Sequence, residues 1–126
     1  MQKKMAAIIF GTLFAIQTQA INSGVKIQKA VQNRIHSQNQ ADIIIYFSKQ
    51  ADLSEAVKIA DRVERIRFVY KKLVLAANNS QLSAIQILQK NQIQFRSFHI
   101  VNAISASNVS AAVLREIARL PEVASL

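Results

Sequence analysis

The sequence predicts an α+β fold in which helices pack on one face of an antiparallel four-stranded sheet. Three observations carry this. The β-branched and aromatic run Asp42-Ile-Ile-Ile-Tyr-Phe47 reads as a strand buried on at least one face. A long stretch follows in which apolar residues recur at alternating spacings of three and four, the period of a helix. Short strand-like runs then flank a second helical pattern, which Pro121 stops. With 51% apolar residues the chain can build a core, and only two Gly and one Pro in 126 residues argue against a loop-rich sandwich.

Residues 1–20 have the form of a secretory signal. Lys3 and Lys4 supply a positive start. The apolar stretch at 5–16 is shorter than the about 20 residues a membrane span needs. Gln17-Thr-Gln-Ala20 then places small residues for cleavage after Ala20. The product is expected to be secreted or periplasmic, with no membrane partner after cleavage. It has no cysteine, so an exported domain of this size depends wholly on packing. The formal charge of +9 falls to about +7 once Lys3 and Lys4 are gone. A basic domain suits nucleic acid, an anionic surface or an acidic protein, and export makes nucleic acid the poorest of these.

Residues 21–41 are polar and rich in Gln, Asn and Ser. Ile27, Val31 and Ile35 recur every fourth residue, so a short helix can form, but the segment reads as a linker or loosely docked leader. The domain proper is expected over 42–126. Asp52 with Glu55 resembles a capping box and sets the expected helix start. Its apolar stripe runs through Ala56, Ile59, Val63, Ile66, Tyr70, Leu73 and Ala77, with Asp61 and Arg65 spaced for an ion pair. Asn78-Asn-Ser80 is expected to break it, with Ser80 capping a second helix that presents Leu82, Ile85 and Leu88.

Residues 93–101 read as a strand that includes His99, 103–107 as its partner, and Asn102 as the turn or kink between them. Val109, Val113, Ile117 and Leu120 mark a helix, and 122–126 a last strand. Treating the two middle helices as one layer gives a ferredoxin-like split β-α-β sandwich. Right-handed crossovers then order the strands 4-1-3-2, with the apolar 43–47 strand inside the sheet. Phe47, Val63, Phe98 and Ile117 are expected in the core.

Catalytic patterns are missing from the sequence. Its two histidines, His36 and His99, lie in the leader and in a strand. There is no Gly-x-Ser-x-Gly elbow, no zinc-ligand spacing and no Gly-rich phosphate loop. Acylphosphatases share the fold class, but their phosphate loop needs Gly and Arg, and Ser48-Lys-Gln-Ala51 offers neither. RNA-recognition modules share it too. Their two central strands carry base-stacking aromatics, and 103–107 has none. The chain is expected to be no enzyme, to use no cofactor and no metal, and to bind no nucleic acid.

Three segments in order resemble the propeptide or inhibitor domain of subtilisin-type serine proteases. Ile43-Ile-Ile-Tyr-Phe47 resembles that family's first strand, which ends in a core Phe. Phe98-x-x-Val101-Asn102-Ala103-x-Ser105-Ala106 resembles its second and third strands. Arg115-Glu-Ile-Ala-Arg-Leu-Pro121-Glu-Val123 resembles the helix and Pro that precede its last strand. The stretch around 76–81 is an insertion relative to short propeptides and looks like that of larger bacterial zymogens.

The resemblance implies a partner, a subtilisin-like serine protease, and two contact regions. Such domains dock the helix-free face of the sheet on the protease, assist its folding, and lay a C-terminal tail in the active site. With Phe47 in the core, alternation puts Ile44 and Tyr46 on that open face. Glu122, Val123, Ala124, Ser125 and Leu126 would form the edge strand leading to the tail, and the sequence stops where the inhibitory segment should begin. The expected function is the N-terminal part of a protease zymogen. The alternatives are a free-standing secreted inhibitor and an unrelated extracytoplasmic binding module.

Overall fold

The computed structural model describes residues 26–126, so the expected signal at 1–20 lies outside the described residues. The elements run α1 (Lys29–Gln38), β1 (Gln40–Phe47), a short 3-10 helix (Ser54–Lys58), α2 (Arg62–Lys90), β2 (Phe95–Phe98), β3 (Ala103–Ser110), α3 (Ala111–Ala118) and β4 (Val123–Ser125). The four strands make one antiparallel sheet in the order β2-β3-β1-β4, as the crossover argument requires.

Period-two alternation divides β1 cleanly. Ala41, Ile43, Ile45 and Phe47 are buried, and Gln40, Asp42, Ile44 and Tyr46 are not. The buried set meets Ala84 and Leu88 of α2 and Val113, Leu114 and Ile117 of α3, so the helices share one face of the sheet. β3 reaches Ser110, beyond the expected end at Ser107, because a bulge carries it past Ser107 and Asn108. Asn108 takes φ 54°, and its N–H donates to the Asp42 carboxylate at 2.9 Å, so the interrupted ladder keeps its partner.

Helix α2 corrects two expectations. Asp52 does not start it. Its carboxylate accepts the Ser54 N–H and opens the 3-10 turn, and those Ser54 hydrogen bonds, backbone N–H first, hold the Asp52 carboxyl below its usual range. Asp61 is the cap of α2, accepting from the Glu64 N–H at 2.8 Å, so it is not spent on Arg65. The Arg65 guanidinium donates instead to the Ile59 carbonyl. Nor does the helix break at Asn78-Asn-Ser80. Both asparagines face solvent, and the Ser80 hydroxyl returns to the Ala76 carbonyl at 2.8 Å inside an unbroken helix of 29 residues.

At its other end α2 closes with a Schellman motif. Gln92 sits at φ 55°, its N–H donates to Gln89, and the Ile93 N–H donates to Leu88 at 2.9 Å.

The polar leader also behaves differently from the expected linker. Residues 29–38 are helical, Ile27 is buried in the core, and Val31 and Ile35 pack against it. Leu126 fixes the segment by its backbone: its N–H donates to Lys26 and its carbonyl accepts from Gln28. This is the slanted pattern of parallel neighbours. β4 pairs only with Tyr46 and Phe47, and α1 lies against β1, whose first half β4 leaves unpaired. Val63, expected in the core, is more than half exposed, because the first half of α2 runs past the sheet.

Candidate functional site

The helix-free face of the sheet is built by cross-strand register. Tyr46 stands opposite Ala103, and Ala103 opposite Phe98. In the next row Ile44 faces Ser105, which faces Arg96. Tyr46 and Phe98 are therefore two strand spacings apart, about 10 Å, with the methyl of Ala103 between them. Ala103 lies between them and is only 1% exposed, so the small residue is covered by its neighbours. Ile44 and Tyr46 remain 48% and 42% exposed. The Arg96 guanidinium lies 5.3 Å from the centre of the Phe98 ring and puts a cation over its face.

Phe98 was expected in the core and is not there. Ser97, one residue earlier, points to the helix side, where its hydroxyl donates to the Gln81 side-chain oxygen, so Phe98 takes the other face. Parity could have found it. Phe95 packs against the core, and two strand residues three apart cannot share a face.

The seven expected contact residues separate by burial. Ile44 and Tyr46 are together on the open face, and Ser125 stands opposite Tyr46 there. Ala124 is exposed, and Glu122 is half-buried with its Oε2 shielded and unpartnered among the described residues. Val123 and Leu126 are 1% and 3% exposed and belong to the core, so their side chains cannot meet a partner. The irregularity between Tyr46 and Phe47 in the β1–β4 pairing lets Val123 and Leu126 both turn inward while Ser125 turns out.

A buried polar cluster holds this face level with the helices. The Asn102 side-chain N–H groups donate to the Lys49 carbonyl at 2.6 Å and the Ser80 hydroxyl at 2.9 Å. Its oxygen accepts from Gln81 at 2.9 Å. The Ser80 hydroxyl can then spend its one proton on Ala76. Asn102 sits at φ 42° and is 2% exposed, so the kink expected there is also the knot joining the β2–β3 turn, the loop after β1 and α2.

His99 lies in the turn after β2, not in a strand, with its ring edge-on to Tyr70 at 5.4 Å. His36 lines a depression between α1 and α3 beside Arg115. Among the described residues no group of three or more His, Asp or Glu comes together as a metal set, and no helix is long and apolar enough to cross a membrane. What the open face offers chemically is two aromatic rings, an aliphatic neighbour and one cation. No protein-family model, curated protein or solved structure matches this chain.

Proposed function

We propose that the chain is an exported, non-enzymatic domain of the propeptide type, which docks on a subtilisin-like serine protease through its helix-free sheet face, assists its folding and restrains it. The patch that the register makes of Tyr46 and Phe98, across Ala103 and beside Ile44, carries the reading. An uncovered sheet face with two aromatics and an Ile gives a partner large, rigid apolar contacts with a polar rim. The order of the three resembling segments supports it, and the reading of 1–20 as a signal supports secretion or passage to the periplasm. Docking is assigned to Ile44, Tyr46, Phe98 and Ser125. Glu122 and Ala124 lie at its border, and Val123 and Leu126 support the edge strand from within.

Titration of an active subtilisin-type protease with residues 21–126, followed by peptide hydrolysis and by calorimetry, tests this. Binding is expected, with Tyr46→Asp and Phe98→Asp each weakening it at least tenfold by burying an unpaired charge in the interface. Arg115→Ala, on the helix side, should bind as the parent does. Absence of binding by the parent chain would overturn the proposal.

A further inference from the structure

The stripe Val63, Ile66, Tyr70, Leu73, Ala77, Ser80, Ala84 and Leu88 runs down one side of α2 at spacings of three and four. From Ala77 onward its members are buried beneath the sheet. Before Ala76 no residue of the helix is buried, although Ile66 and Tyr70 belong to the same stripe and are 57% and 58% exposed. The first fourteen residues thus form an arm about 21 Å long whose core-facing side has run out of core.

The β2–β3 turn lies under this arm. Ile66, Val69, Tyr70 and Leu73 from above, with His99 and Ile100 from below, line a groove of about 350 Å³. Ile100 and Val101 are both more than half exposed at the turn. Together these side chains leave an apolar surface that joins the arm to the turn.

Charge decides the occupant. The arm carries Arg62, Arg65, Arg67, Lys71 and Lys72 against Asp61 and Glu64. Asp61 is already engaged at the helix cap. No acidic side chain lines the groove, and Arg65 stands at its wall. A second copy of this chain would set cationic arm against cationic arm. A flat lipid surface does not enter a groove closed below by the turn. We propose that this groove receives an amphipathic helix of a partner protein, apolar on the face that enters and acidic along its flanks. Helix-in-groove packing supplies affinity through the apolar stripe, and the cationic arm sets orientation and association rate. The proposal does not depend on the partner of the open sheet face.

The experiment titrates isotopically labelled residues 21–126 with a synthetic amphipathic helical peptide, Leu on one face and Glu on the other. A matched peptide has Lys in place of Glu. The acidic peptide is expected to shift the resonances of Ile66, Val69, Tyr70, Leu73, His99 and Ile100, and to bind at least tenfold tighter than the basic one. Ile66→Asp, at an exposed position, should melt like the parent and lose the peptide. Equal binding of both peptides, or shifts confined to the open sheet face, would overturn the proposal. So would a dimer, or sedimentation with anionic phosphatidylglycerol vesicles, that Ile66→Asp abolishes, since the groove would then serve a second copy or a lipid surface.

Discussion

Among the described residues, which include no glycine, four hold positive φ: Asn39, Gln92, Asn102 and Asn108. Those turns are made without Gly, and Asn tolerates the left-handed region better than any other non-Gly residue. At Asn102 the backbone need and the side-chain role coincide. Its amide joins Lys49, Ser80 and Gln81, partners 53, 22 and 21 residues away. Sequence reading found a turn at Asn102 and could not find the knot, because long-range partners leave no local trace. Asn102→Ala should cost about 2 kcal/mol in chemical denaturation, since it removes the hydrogen bonds to the Lys49 carbonyl, Ser80 and Gln81 and puts a Cβ residue without a polar side chain at φ 42°. Gln92 is the opposite case, because its side chain is exposed to solvent and only its φ of 55° matters. Gln92→Gly is expected to raise stability by about 1 kcal/mol in the same assay by relieving the left-handed position of the Schellman motif.

At the scale of elements, strand character was legible in the β-branched and aromatic run 42–47, and the structure extends that strand back to Gln40 with strictly alternating burial. α2 was legible as helix but not in its extent. Asn78-Asn-Ser80 looks like a stop because propensity is a local quantity, yet burial of Ala76, Ala77, Gln81 and Ala84 on either side carries the helix through. The capping signal was misplaced for a related reason. Asp52 and Asp61 both have an acidic residue three positions on, and only the geometry of the chain leaving β1 selects Asp61. The periodic stripe also gave no hint that half of it lies beyond the sheet, since spacing reports a face and not what covers it. In native-state hydrogen exchange, amides at 66–75 should exchange through local fraying, well before those at 80–90, which are held by the core. Equal protection along α2 would mean the arm is covered in solution.

For the molecule as a whole, strand order was legible because the handedness of crossovers leaves few choices once four strands and two helical layers are recognised. The open face followed from parity along β1, and Phe98 would have followed from the same rule applied to β2. The leader was not legible. Its composition is that of a linker, and its partners are Leu126 and the core beneath α3, the last parts of the sequence. Ile27→Ala is therefore expected to lower unfolding free energy by about 2–3 kcal/mol, a core-sized loss that a linker residue would not give.

The pairing of Leu126 with Lys26 and Gln28 sets the order in which this molecule can be finished. The two segments meet across about a hundred residues of intervening chain, the longest loop the described fold has to close. α1 packs on β1 and the core, and its tie to Leu126 forms only when the two ends of the described chain have come together. Until that tie forms, the edge of β1 and the inner faces of Ile27 and Leu126 stay open to solvent, and a second molecule in the same state can pair with them. Slow refolding whose yield falls with protein concentration is the expected outcome, checked by stopped-flow refolding over a range of concentrations.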